Sequence, residues 1–170
     1  NSSGKAVSIM KALSTYQVAL DNWGTMTLSE IIPYVTQAAE QGIRVTENLH
    51  NLIDSSYEKL YMHEASRELW LKDGLTVPEV GDVIYNPDLI DTLNLIAENG
   101  IEYFYEGPIA QEIVDIIQAD GGVMNMNDLK TAMTDVLVID DPVEVTYRGY
   151  KLYSMPLPSS GGVIVGEILN

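Results

Sequence analysis

Tyr147-Arg148-Gly149-Tyr150, followed by Met155-Pro156-Leu157-Pro158-Ser159-Ser160-Gly161-Gly162, is the stretch on which the fold reading turns. Just upstream, Val143-Glu144-Val145-Thr146-Tyr147 alternates apolar and polar residues with period two, the pattern of a half-buried strand. Arg148-Gly149 reads as a two-residue turn, with Gly149 supplying the positive φ that such turns need. Tyr150 to Met155 is the returning strand. The Pro-Ser-Ser-Gly-Gly loop leads into an apolar segment, Val163 to Leu169, and the chain stops at Asn170 inside it. An apolar run needs a surface to pack against, so the expectation is a piece of a longer protein.

Working outward, the first 140 residues are punctuated as a series of helices. Val7 to Asn22 carries apolar residues at helical spacing, and Gly24 stands where a left-handed C-cap would sit. Thr27-Leu28-Ser29-Glu30 is a capping box. The helix that it opens contains Pro33, which predicts a break or kink before the helix resumes and closes at Gly42. Thr46 reads as the cap of a helix running to about Tyr61, and a short helix follows from Glu64 to Leu71. Thr76 to Ile84, with Pro78 and Gly81, reads as loop. Asn86-Pro87-Asp88 combines a cap, a proline at the first helical position and an acid at the second; that helix runs to about Glu98. Gly107-Pro108 opens another to Ala119, with Ile109, Ile113, Ile116 and Ile117 expected on one face. Asn125 with Asp128 caps a last short helix to about Met133. The expected fold class is therefore mainly α with a small C-terminal β-hairpin. The expected division is a helical lobe over 1–140, then hairpin, loop and the start of a helix over 141–170.

Composition narrows the function classes. A 170-residue chain that is 46% apolar can bury a core. Nine basic against 25 acidic residues leave a net charge of −16, a surface that repels phosphate backbones and anionic membranes, so no nucleic-acid partner is expected. There are no cysteines, which removes disulfides, thiolate metal sites and cysteine nucleophiles together. No apolar run approaches the ~20 residues of a membrane span, and Asn1-Ser2-Ser3-Gly4-Lys5 has no signal-peptide pattern.

Few residues promise chemistry. His50 and His63 fall on different elements, and an exposed or capping role is expected for each. The acidic pairs Asp140-Asp141 and Glu79 with Asp82 have the makings of calcium ligands, but such residues more often turn the chain. Tyr103, Phe104 and Tyr105 read as core rather than as the lining of a groove. The loop Pro158-Ser159-Ser160-Gly161-Gly162 offers two hydroxyls and backbone amides at a helix start, an anion-binding arrangement. The competing reading is that Ser159 or Ser160 caps the helix and the glycines permit close packing. A serine nucleophile needs a base, and spacing supplies none.

At these same residues the chain resembles the γ-glutamyltranspeptidase (glutathione hydrolase) family. The landmarks are Ala97-Glu98-Asn99-Gly100, Phe104-Tyr105-Glu106-Gly107-Pro108-Ile109-Ala110, Gly121-Gly122, Asp128-Leu129, Tyr147-Arg148-Gly149-Tyr150, Met155-Pro156, Pro158-Ser159-Ser160-Gly161-Gly162 and Ile168-Leu169-Asn170. Ala19-Leu20-Asp21-Asn22-Trp23-Gly24-Thr25-Met26 and Ala38-Ala39-Glu40-Gln41-Gly42 extend the likeness upstream. Ile9-Met10-Lys11 departs from it, standing where the family usually has a Val-Pro-Gly turn before the first helix.

The resemblance implies a fragment of the large subunit of an N-terminal-nucleophile hydrolase with an αββα sandwich. In that family a precursor cuts itself, and the new N-terminal threonine of the small subunit attacks the γ-glutamyl amide of substrates such as glutathione. It transfers the acyl group to water or an amino acid. No metal or organic cofactor is implied. The nucleophile falls beyond Asn170 and the arginine for the substrate carboxylate before Asn1. Arg44, Arg67, Arg148, Ser159 and Ser160 match none of the family's site positions. No catalytic, substrate-binding or metal residue is therefore assigned, and the isolated chain is expected to be inert and to self-associate. Relatives acting on poly-γ-glutamate or β-lactam side chains, and a stand-alone binding module, are the alternatives. By resemblance the full protein is extracellular or periplasmic, with the small-subunit portion of the same precursor as its partner.

Overall fold

The computed structural model describes residues 3–139 and 141–169. The chain divides into two compact units, one ending at Val136 and the other starting at Leu137.

The first unit is helical. Its elements are α1 (Ala12–Trp23), α2 (Leu28–Glu40), β1 (Ile43–Arg44), α3 (Glu47–Ser55), α4 (Tyr57–Met62), α5 (Glu64–Trp70), β2 (Val83–Ile84), α6 (Pro87–Asn99), α7 (Glu102–Tyr105), α8 (Pro108–Ala119) and α9 (Met126–Thr134). Several starts are set by their own sequence. Thr27 Oγ1 accepts from the Glu30 amide at 3.3 Å while Glu30 accepts from the Thr27 amide at 2.8 Å, completing the capping box of α2. Asn125 and Asp128 do the same for α9. Thr46 caps α3 and Asn86 caps α6, where Pro87 takes the first helical position. Pro108 opens α8.

Other expectations are corrected. The first helix starts at Ala12, not Val7; residues 7–11 are non-helical, with Val7 and Ile9 exposed while Met10 packs against the main core. Gly24 is extended (φ −77°), not left-handed; a Cβ there would lie 2.7 Å from the Leu20 carbonyl oxygen, so close approach is what requires glycine. Helix α2 runs unbroken through Pro33. Pro33 and Ser29 are both exposed, so water can reach the Ser29 carbonyl that the proline leaves without a partner. Burial of Ile32 before the proline and of Thr36 after it holds the helix together across it. The helix expected over 46–61 is two, separated at Ser56, and the turn lets the Tyr57 hydroxyl donate to the Leu75 carbonyl at 2.7 Å. The supposed loop 76–84 ends in a strand: Ile43 pairs with Ile84 and Arg44 with Val83, antiparallel.

Two cores result. The larger gathers Ile32, Ile96, Ile101, Tyr105, Ala110, Val114, Ile117, Met124, Leu129 and Ala132. The smaller is Val45, Ile53, Leu71 and Ile84 beneath the β1–β2 ribbon. On α8 the buried line is Ala110, Val114 and Ile117, and Ile116 is 63% exposed rather than facing inward with them. One residue is about 100° of helical rotation, so Ile116 and Ile117 cannot share a narrow face. Tyr105 is fully buried and Phe104 packs against the same core at 5.0 Å between ring centroids, as expected of a core cluster.

The second unit is β3 (Val143–Tyr147), β4 (Tyr150–Ser154) and α10 (Gly161–Leu169). The register runs from Val143 opposite Ser154 to Tyr147 opposite Tyr150. Arg148 (φ 49°) and Gly149 (φ 84°) both take positive φ, the geometry of a two-residue turn matched to strand twist. The face bearing Val143, Val145 and Leu152 is half-buried. The opposite face carries a Lys151–Glu144 ion pair at 2.6 Å.

Candidate functional site

The loop 158–162 is the segment with most chemical promise, and its local geometry is that of a helix start. The Ser160 carbonyl accepts the Ile164 amide at 3.0 Å, the first intrahelical bond of α10, and the Ser159 amide donates to Pro156 O at 3.1 Å. The glycines are the tighter constraint. A Cβ on Gly162 would lie 2.6 Å from Ser154 Cβ, and one on Gly166 would lie 2.7 Å from Val145 Cγ2. One face of α10 is thus laid directly on β3 and β4, and close packing explains Gly162. The other face presents Val163, Ile164, Val165 and Ile168 outward, with Ile168 76% exposed. Apart from the exposed Glu167 the helix carries only glycine and apolar residues, and it is covered on one side.

The titratable residues are occupied structurally. His50 Nδ1 is 2.8 Å from Pro78 O, and His63 is exposed at the junction of α4 and α5. Asp82 Oδ2 accepts from the Glu79 amide at 3.0 Å and from Lys72 Nζ at 3.2 Å, closing a turn around Gly81. The backbone bond first, then the lysine, lowers the Asp82 carboxyl below its ordinary range. Asp140 lies outside the described residues. Among the described residues no three His, Asp or Glu side chains are grouped to hold a metal ion. Arg67 stacks on Tyr61 at 5.2 Å, Arg148 on Tyr147 at 5.0 Å, and Arg44 donates to Gly81 O. A cleft lined by Trp70, Pro78, Val83 and Tyr85 also carries Glu68 and the Lys72–Asp82 pair, and no serine or threonine lines it.

One polar arrangement escaped sequence reasoning. Tyr105, fully buried, accepts the Ser14 amide at 3.2 Å through its hydroxyl oxygen and contacts Ser14 Oγ at 3.4 Å. Lys11, the N-cap of α1, makes no side-chain capping bond. Tyr105 therefore serves as the cap of a helix 91 residues away in sequence. No local pattern signals such a cap.

These features define a helical unit and a second unit made of a hairpin and a helix. The whole chain, residues 1–170, matches the family model described as gamma-glutamyltranspeptidase. It is 36% identical over 156 residues to the glutathione hydrolase proenzyme of Escherichia coli K12, covering 91% of this chain and 26% of that one. It is 33% identical over 166 residues to the proenzyme of the same name from Bacillus subtilis 168, covering 98% of this chain and 27% of that one. The crystal structure of Helicobacter pylori gamma-glutamyltranspeptidase superposes with a TM-score of 0.86 at 29% identity, over 97% of this chain and 46% of that one. The chain belongs to the γ-glutamyltranspeptidase family. It spans about a quarter of the length of these curated relatives.

Proposed function

We propose that the chain is the later part of the large subunit of a γ-glutamyltransferase/glutathione hydrolase, and that it scaffolds a threonine nucleophile carried elsewhere in the same precursor. The observation that carries this reading is a family match along the whole chain to proenzymes about four times as long. In the complete enzyme the threonine hydroxyl attacks the γ-glutamyl carbonyl, with its own α-amino group as base, so no histidine is required. Backbone amides hold the oxyanion, and the acyl group passes to water or to an amino acid. None of the residues in this chain touches the reacting atoms. The helical lobe 1–140 surrounds the sandwich, and segment 141–170 meets the small-subunit portion through the outward face of α10. The complete protein acts outside the cytoplasm. Among the described residues no helix is long and apolar enough to cross a membrane.

A chromogenic γ-glutamyl anilide tests the assignment. The complete precursor releases the anilide after it has cut itself, and the 170-residue chain alone does not. Turnover by the chain alone, or an uncut and inactive precursor, overturns the proposal. Separated from the remainder, the chain self-associates through α10; a monomer in sedimentation that binds no apolar dye refutes that part.

A further inference from the structure

Helix α6 ends at Asn99, and Gly100 follows with φ 80° and ψ 176°. That region of backbone space is accessible essentially to glycine alone. A Cβ at this position would also meet the Glu102 carboxylate at 2.5 Å. The path from α6 into α7 places Ile96, Ile101 and Tyr105 in the main core, so the fold requires glycine at 100. The requirement has a chemical consequence. With no Cβ to shield it, the Gly100 amide nitrogen is an unhindered nucleophile next to the carboxamide of Asn99. This is the one Asn-Gly pair in the sequence.

We infer that Asn99 is the chain's site of spontaneous deamidation, and that the native end of α6 gates the reaction. The Gly100 nitrogen gives up its proton to solvent base and attacks Asn99 Cγ; the Cγ–Nδ2 bond breaks and the nitrogen leaves as ammonia. Water then opens the cyclic imide. Cleavage at the Cγ side leaves an ordinary aspartyl residue at this position, and cleavage at the main-chain carbonyl leaves an isoaspartyl linkage with one extra carbon in the backbone. In the native chain both reacting groups are held apart. The Gly100 amide donates to Ile96 O at 2.9 Å, and Asn99 Nδ2 donates to Leu95 O at 2.9 Å, turning the carboxamide back along the helix. Helical ψ at Asn99 also keeps Cγ away from the following nitrogen. Ring closure therefore waits for the last turn of α6 to fray, which is where local opening costs least.

The product weakens the junction that protected its precursor. A carboxylate at 99 gives up the bond to Leu95 and sits beside Glu98 at the negative end of a helix with no basic residue in its last turn. An isoaspartyl linkage shifts Gly100 off Ile96. The two Asp-Gly pairs are slower competitors, because an ionised carboxylate is a poor electrophile. Their glycine amides are also engaged, Gly74 with Leu71 O and Gly121 with Gln118 O.

The test is peptide mapping by mass spectrometry of the 170-residue chain aged in mildly alkaline buffer, with and without urea. Deamidation adds one mass unit, whereas isomerisation at Asp73 or Asp120 is silent. The expected result is that Asn99 leads every other asparagine, with both aspartyl forms present. Its rate in urea should exceed the native rate by about tenfold or more, an opening free energy of about 1.4 kcal/mol per decade. Asn99→Gln abolishes the signal. Gly100→Ala, measured in urea where folding does not enter, slows it. A different asparagine leading, equal rates with and without urea, or an undiminished rate in Gly100→Ala overturns the inference.

Discussion

Replacing Tyr105 by Phe isolates a long-range cap. The ring stays in its fully buried place and the hydroxyl is lost, so packing of the core is preserved. What changes is the Ser14 amide. It is the third N–H of α1, has no intrahelical acceptor, and lies in a fully buried residue. A buried donor left without a partner costs about 1–3 kcal/mol. The bond to Ser14 N is 3.2 Å and the contact to Ser14 Oγ is 3.4 Å, both long. The lower part of the range, about 1–2 kcal/mol, is therefore expected. For a chain of this size that is about 2–8 °C in Tm. Ser14→Ala keeps the amide bond to the tyrosine but loses both the bond from Ser14 Oγ to Lys11 O at 3.0 Å and the acceptor of the Tyr105 hydroxyl at 3.4 Å, so it too should destabilise. The assays are thermal unfolding of both single variants and the double variant, with amide exchange at the start of α1. A Tyr105→Phe variant within about 0.3 kcal/mol of the parent, or with unchanged exchange at Ser14, refutes the cap.

Three further outcomes are expected. Leu129→Ala empties a fully buried position in the main core and should cost about 2–5 kcal/mol, read by urea unfolding. Gly166→Ala drives a methyl to within 2.7 Å of Val145 and should cost about 1–3 kcal/mol, visible as faster amide exchange across β3 and β4; unchanged exchange would contradict the packing described. Glu30 is held below the ordinary carboxylate range by the Thr27 amide first and the Thr27 hydroxyl second. A lowered folded pKa means that the capping box is intact above the ordinary glutamate pKa. It is lost as pH falls through the lower folded value. Acidification should therefore fray α2 at its start, and Glu30→Gln should remove that pH dependence from amide exchange at 28–31.

Sequence alone determined whatever is made within a few residues. The capping boxes at Thr27 and Asn125, the Asn86-Pro87 start, the Arg148-Gly149 turn and the period-two strands are legible because donor, acceptor and backbone bias all lie inside one turn or one strand pair. The family landmarks belong to the same layer, being ordered short motifs. The tertiary structure decided the rest. Ile43 finds Ile84 some forty residues on, Tyr105 caps α1 from 91 residues away, and α2 survives Pro33 with Ile32 and Thr36 buried on either side of it. Ile116 and Ile117, both apolar, are expected on one face, but they lie about 100° apart and the neighbouring helices cover a stripe too narrow to include Ile116. Such outcomes depend on which surfaces meet in space, and the free energy of a meeting is not written in either segment by itself.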